Sequence, residues 1–69
     1  MEVLTNRLKE VRANKEVTQK EVAAKIGVHF LRYMEFENGE REPRMDELAS
    51  ICKYYGVSAD WLIGLTDQK

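Results

Sequence analysis

The sequence predicts an all-α fold of five short helices, organised as a single domain over residues 1–69. Apolar residues recur three or four positions apart along the chain and nowhere alternate with polar residues, as they would in a half-buried strand. Signals that start and stop helices also divide the chain into five segments of helical length. A domain this small has a marginal core, so much of its surface lies close to solvent.

The first two helices are predicted by apolar stripes and, for the second, by a capping pattern. The first helix is expected from about Thr5 to Asn14. Its inward face is formed by Leu4, Leu8 and Val11. The second helix opens with a Thr-x-x-Glu capping box at Thr18 and Glu21, and Gly27 fits the position after its end. Its inward face is formed by Val22, Ala23 and Ile26.

The third helix lies within the segment GVHFLRYMEFENG, residues 27–39, which begins with a turn and closes with the turn dipeptide Asn38-Gly39. Its inward stripe is predicted to consist of Val28, Tyr33 and Phe36. The remaining apolar residues of the helix are Phe30, Leu31 and Met34. Because a short helix of a small protein buries one stripe and not its whole circumference, we expect this second apolar set to be exposed.

The fourth and fifth helices are separated by glycine signals. Pro43 restarts the chain, and the fourth helix is expected to end at Gly56. Its inward positions are Met45, Leu48, Ile51, Cys52 and Tyr55. Ser58 caps the fifth helix, Asp60 lies in its positive first turn, and Gly64 ends it. Trp61 and Leu62 are expected to close the core, and Val57 is expected to pack against Leu62 as a hydrophobic staple.

Composition and charge exclude several classes of protein. Hydrophobic residues make up 43% of the chain and charged residues 33%, as in an ordinary folded protein. No apolar run is long enough for a membrane span, and a single cysteine, Cys52, suits a reducing, cytoplasmic setting. The first 35 residues carry seven basic and five acidic groups, and the last 34 carry four and seven. Neither half therefore has the basic surplus that indicates a nucleic-acid partner.

Catalysis and cofactor binding are not expected. One histidine, His29, and one cysteine, Cys52, lie on separate helices and cannot supply the ligands of a metal cage. No nucleophile has an evident partnered base, and no glycine-rich loop is present to hold a phosphate. The sequence thus predicts a binding protein without a metal or other cofactor, and not an enzyme.

The turn Gly27-Val28-His29 joins two short helices in the layout of a helix-turn-helix. The segments RLKEVRANKEVTQKEVAAKIGV, FENGEREP and ELASICKYYGVSADWLIGLTD, read together, resemble the lambda-repressor and Cro-type helix-turn-helix family. The resemblance runs from about Asn6 to Asp67. It implies a five-helix domain of a DNA-binding transcriptional regulator, with the third helix entering the major groove.

The resemblance also implies roles for individual residues. Gln19, at the start of the second helix, matches a glutamine that such proteins set against the DNA backbone, while Tyr33 and Phe36 match inward positions. The full set of DNA contacts implied in this way is Gln19, Arg32, Asn38, Arg41 and Arg44.

The outward face of the third helix departs from the family pattern. Polar residues are typical where this chain has His29, Phe30, Leu31, Met34 and Glu35. Glu40 stands where lysine is frequent, and Arg44 replaces a common capping serine or threonine. Four carboxylates are expected near the approach to the groove, those of Glu35, Glu37, Glu40 and Glu42. Because DNA affinity comes largely from neutralised phosphates, we expect this surface to be unfavourable for DNA.

These departures favour the hypothesis that the chain is a protein-binding module built by design on a repressor-like scaffold. It would bind an unidentified protein partner through the third helix. The residues predicted for that interface are His29, Phe30, Leu31, Arg32, Met34, Glu35 and Arg44. Three alternatives stay open at this point. The first is that the chain is a sequence-specific DNA-binding repressor. The second is that it forms a homodimer through the same face, and the third is that the third helix is simply more buried than in relatives.

Overall fold

The computed structural model describes residues 1–69 and contains the five predicted helices and no strand. The helices are α1 (Glu2–Lys15), α2 (Gln19–Ile26), α3 (Phe30–Asn38), α4 (Met45–Tyr55) and α5 (Ala59–Leu62). The all-α prediction is confirmed. The first helix starts earlier than expected because the Met1 carbonyl accepts hydrogen bonds from both the backbone N–H and the Oγ1 hydroxyl of Thr5, at 3.1 and 3.0 Å.

The core draws side chains from all five helices. Its buried apolar members are Leu4, Leu8, Val11, Val22, Ala23, Tyr33, Phe36, Ile51, Trp61 and Leu62. Helix α3 packs on α1 and α2, while α4 packs on α2 and α1, and α5 packs on α1 and α4. No other helix covers the opposite side of α3, which therefore lies at the surface.

The local signals around α2 act as predicted. The Thr18 hydroxyl accepts a hydrogen bond from the Glu21 backbone N–H at 3.1 Å, and the Glu21 carboxylate accepts one from the Thr18 backbone N–H at 3.3 Å. Gly27 adopts a left-handed conformation with φ 75°, which glycine reaches without steric cost. The chain thus leaves α2 at a defined angle and enters α3.

The start of α4 differs from the prediction. Met45 is 85% exposed, so its assignment to the inward stripe is wrong. The inward position of this first turn is taken by Glu47, which is 6% exposed. Its carboxylate accepts a hydrogen bond from the Arg44 backbone N–H at 2.7 Å and two more from the Arg32 guanidinium, at 2.6 and 3.0 Å. The Arg44 side chain has no acceptor atom and cannot cap α4 in the way that serine or threonine does, so the Glu47 carboxylate stabilises the start of this helix instead.

This arrangement predicts an acid-dependent stability at Glu47. The hydrogen bond from Arg32 lowers the pKa of Glu47 below its ordinary 4.5, and the Arg44 backbone N–H lowers it further. Because the folded-state pKa of Glu47 is depressed, its ionised carboxylate stabilises the fold fully above the unfolded-state pKa. This stabilisation disappears as the pH falls through the folded-state pKa. We expect Glu47→Gln, followed by urea unfolding from about pH 6 to about pH 3, to flatten that acid dependence.

The matched control is Glu2→Gln, because Glu2 is exposed and forms no ion pair. It removes the same charge and should keep the acid dependence of the unsubstituted protein. If the free energy of unfolding of Glu47→Gln fell with pH as steeply as that of the unsubstituted protein below the ordinary pKa of glutamate, Arg32 would not stabilise the ionised carboxylate.

Candidate functional site

Helices α2 and α3 are joined by the predicted three-residue turn, residues 27–29. The Val28 backbone N–H donates to the Ala23 carbonyl at 3.0 Å, and Val28 itself is half-buried. His29 is the N-cap of α3, where its Nδ1 atom accepts a hydrogen bond from the Leu31 backbone N–H at 3.1 Å. His29 thus stabilises the start of α3.

One side of α3 is buried in the core. Tyr33, Phe36 and Glu37 are at most 1% exposed. The Tyr33 hydroxyl forms a 2.7 Å hydrogen bond with that of Tyr55, and burial raises the pKa of both, that of Tyr55 to about 12. With 3.6 residues per turn, the opposite side carries residues four and then three positions apart. These residues form the outer stripe of α3, which consists of Leu31, Glu35 and Asn38.

The expected exposed trio on α3 is only partly found. Leu31 is 55% exposed, but Phe30 and Met34 are half-buried, and Phe30 packs against the core cluster. Phe30 lies three residues before Tyr33, so it turns toward the same side of the helix. The Lys20 ammonium group at the start of α2 lies 5.4 Å from the centre of the Phe30 ring. The prediction of a continuous exposed apolar patch is therefore wrong.

Glu37 belongs to a buried polar network and not to the surface. Its Oε2 atom accepts a hydrogen bond from Arg12 Nε at 2.7 Å, and its Oε1 atom accepts one from Gln19 Nε2 at 3.1 Å. Arg12 also donates to the Val17 carbonyl at 3.1 Å, and its hydrogen bond with Glu37 raises its pKa. The network joins α1, α2 and α3. The prediction that Glu37 lies near the approach to the groove is wrong. Its position four residues after the inward Tyr33 was a sequence signal of burial.

Arg32 is also held within the protein. Its pair with Glu47 uses the Nε and Nη2 atoms and leaves the side chain 28% exposed. The hydrogen bond to Glu47 raises the pKa of Arg32. Of the three guanidinium nitrogens, only Nη1 has no hydrogen bond to Glu47. Arg32 is therefore not a free surface cation, as the protein-binding and the DNA-binding predictions both assumed.

The exposed acids near α3 have partners too. Glu35 Oε1 accepts a hydrogen bond from Arg41 Nε at 2.9 Å, and Glu40 Oε1 accepts one from the Asn38 amide at 3.3 Å. Glu42 pairs with the amino group of Met1 at 3.1 Å. The Arg44 side chain remains 69% exposed, and the carboxylate oxygens nearest to its guanidinium lie 3.5 and 3.6 Å away. The surface around α3 is thus less acidic in effect than the residue count implied.

Other kinds of site find no support in these side chains. No helix has both the length and the apolarity to cross a membrane. No three or more histidine, cysteine, aspartate or glutamate residues come together as metal ligands. Cys52 is half-buried, and burial raises the pKa of its thiol, which disfavours the nucleophilic thiolate.

Comparison with known proteins identifies the family. A family model described as "Helix-turn-helix" matches residues 8–62. The HTH-type transcriptional regulator ImmR of Bacillus subtilis (strain 168) is 38% identical over 61 residues, which are 88% of this chain and 48% of the relative. The transcriptional repressor RstR of the cryptic phage CTXphi, from Vibrio cholerae, is 29% identical over 55 residues, 80% of this chain and 50% of the relative. The chain spans about half the length of these curated relatives.

The fold also matches a solved structure. The P22 c2 repressor, crystallised in complex with the synthetic operator 9T in the presence of Tl⁺, superposes with a TM-score of 0.82. The two chains are 24% identical, and the match covers 86% of this chain and 89% of the repressor chain. This similarity establishes that the five helices are arranged as in that repressor.

The hypothesis of a designed protein-binding module is wrong. The relatives are named transcriptional regulators and repressors, and the structural neighbour is a repressor crystallised on its operator. The physical basis of the hypothesis also fails, because Phe30 and Met34 are half covered and Glu37 is buried. The matched family is one of DNA-binding transcriptional regulators and not a class of enzymes. On these grounds, the chain belongs to the lambda-repressor-like family of helix-turn-helix proteins.

Proposed function

We propose that this chain binds duplex DNA as a transcriptional regulator and inserts α3 into the major groove. The observation that carries the proposal is the α2–turn–α3 unit, which leaves the outer stripe of α3 uncovered by any other helix. In helix-turn-helix proteins the second helix of this unit contacts base edges, while the first crosses the backbone. The names of the relatives and the operator-bound neighbour support the same assignment.

Several polar groups around α3 suit phosphate contacts. One N–H of the Gln19 amide donates to Glu37, which leaves the second N–H for a phosphate oxygen at the start of α2. Arg41 uses only its Nε atom within the protein, and Arg44 is largely exposed. Arg32 Nη1 and the Asn38 side chain complete the proposed set. Few cations are available, so we expect modest affinity with a correspondingly small slope of log K against log salt.

The outer stripe offers chemistry for base contacts. Leu31 provides an exposed apolar surface suited to the methyl group of thymine. Glu35 provides the acceptor atoms of its carboxylate. Arginine and lysine, the usual readers of guanine, are absent from the stripe. We therefore propose that recognition rests on apolar contacts and acceptor groups.

A salt titration tests DNA binding directly. The protein is titrated onto duplex DNA at about 50 mM and about 200 mM salt, with affinity expected to fall at the higher concentration by an amount set by the few phosphates contacted. Arg44→Gln is expected to weaken binding and to reduce the slope of log K against log salt by about 1. The oligomeric state of the DNA-free protein is measured alongside, because a homodimer through α3 would cover the same stripe.

The matched control for Arg44→Gln is Lys69→Gln, which removes the same charge. Lys69 pairs with Glu10 of α1 and lies over the Trp61 ring of α5, and α5 packs on α1 and α4. Lys69→Gln should therefore keep the salt slope of the unsubstituted protein. No binding at the lower salt concentration would overturn the proposal, and equal effects of the two variants would mean that α3 does not face the DNA.

A further inference from the structure

We infer that Glu35 selects cytosine in the major groove and that Arg41 holds the Glu35 carboxylate in place for this contact. The inference rests on the proposed function and adds to it the base that the protein prefers at one position of its site. It depends on three observations: the place of Glu35 on α3, the bonding of its two oxygens, and the hydrogen-bonding edges of the four bases.

Glu35 is the charged member of the outer stripe of α3. It lies one turn after Leu31, which is exposed, and opposite the buried Tyr33 and Phe36. Its side chain is 37% exposed, so it is accessible and also partly constrained by its surroundings. The other carboxylate of α3, that of Glu37, is buried and fully engaged by Arg12 and Gln19.

The two oxygens of Glu35 differ in their bonding. Oε1 accepts a hydrogen bond from Arg41 Nε at 2.9 Å, whereas Oε2 has no protein donor within hydrogen-bonding distance. Arg41 is itself 49% exposed, and its terminal nitrogens have no protein partner. Arg41 therefore restricts the carboxylate and offsets its charge against the DNA phosphates, while Oε2 stays free as an acceptor.

A free carboxylate oxygen discriminates between bases by hydrogen bonding and by repulsion. Cytosine presents the N4 amino donor in the major groove, and carboxylates accept from it. Guanine presents the acceptors N7 and O6, and thymine presents the acceptor O4, so both repel a carboxylate. Adenine presents the N6 donor beside the N7 acceptor, which leaves one unfavourable contact. The order expected is cytosine first, then adenine, with guanine and thymine excluded.

The same chemistry predicts how one substitution changes the preference. In Glu35→Gln the side-chain amide keeps an oxygen acceptor and gains an N–H donor. Glutamine can therefore form two hydrogen bonds with the N6 and N7 atoms of adenine. The preferred base should change from cytosine to adenine at the position that faces residue 35.

The experiment is a selection from a pool of randomised duplex DNA at about 50 mM salt, followed by sequencing of the bound fraction. The unsubstituted protein is expected to enrich one position for cytosine over guanine by about tenfold or more. Glu35→Gln is expected to enrich adenine there. Glu40→Gln is the matched control: it removes the same charge from an exposed residue just after α3, and it should keep the cytosine.

The outcomes separate this inference from the proposed function. Enriched sequences that lack a cytosine position, or that keep cytosine in Glu35→Gln, overturn the inference and leave DNA recognition intact. A switch to adenine in Glu40→Gln as well would also overturn it, because the effect would then follow net charge. If no sequence is enriched by any variant, sequence-specific recognition itself fails and the inference fails with it.

Discussion

Replacing Arg12 with methionine is expected to lower the free energy of unfolding by about 3–5 kcal/mol, because it leaves a buried carboxylate unpaired. Glu37 is 1% exposed, and Arg12 supplies the one positive charge bonded to it. The remaining partner, the Gln19 amide, cannot neutralise the charge. A domain of this size has a total stability of about 3–10 kcal/mol. Urea unfolding followed by circular dichroism therefore measures either a large loss or an unfolded chain.

The reverse substitution, Glu37→Met, should cost less. The Arg12 side chain is 27% exposed, so its guanidinium can turn toward water once its partner is gone. The double variant Arg12→Met with Glu37→Met is expected to recover the stability lost by Arg12→Met, since it leaves no buried charge. A double variant as unstable as Arg12→Met, or a single loss below about 1 kcal/mol, would contradict this account of the network.

Phe36→Ala is expected to destabilise the protein by about 3–5 kcal/mol through loss of buried area and formation of a cavity. Phe36 is fully buried, and its ring meets that of Tyr33 edge-to-face, with centroids 6.1 Å apart and planes at 75°. The Arg32 guanidinium lies 5.4 Å from the centre of the Phe36 ring. Thermal or urea unfolding measures the loss.

Phe30→Ala provides the control within the same helix. Phe30 is half-buried at the edge of the core, so its truncation should cost about 1 kcal/mol. Phe36→Leu retains most of the apolar volume and should stay folded, which keeps the comparison measurable if Phe36→Ala unfolds. Equal losses for Phe30→Ala and Phe36→Ala would mean that the two sides of α3 are buried alike.

The paired acids explain how a chain with net charge −1 is compatible with the proposed DNA-binding surface. Glu37, Glu47 and Glu35 are each bonded to an arginine within the protein. Interactions at such short range are screened far less than the distant field of the whole molecule. A count of acidic residues therefore overstates the repulsion between α3 and a DNA phosphate. That repulsion depends on which acids are paired with an arginine within the protein.

Local sequence patterns predicted the five helices, the turn before α3 and most of the inward stripes, because these features depend on residues within one or two turns of each other. The capping box of Thr18 and Glu21, the left-handed Gly27 and the burial of Tyr33 and Phe36 are of this kind. The family resemblance also followed from the sequence. Local patterns could not place the start of α1 or the exposed Met45 correctly, since helix ends depend on contacts that periodicity does not contain.

The side chains that α3 presents at its surface depend on contacts between helices. Arg12 and Glu37 are 25 residues apart in the sequence, and Arg32 and Glu47 are 15 apart. Whether such charges meet depends on how the helices pack, as does the partial cover of Phe30 beside Lys20. When each side chain is assumed to be free, the bonded acids are predicted to repel DNA and Phe30 is predicted to anchor an interface. The physical reason is that burial and ion pairing are set by neighbours in space, which sequence spacing alone does not specify.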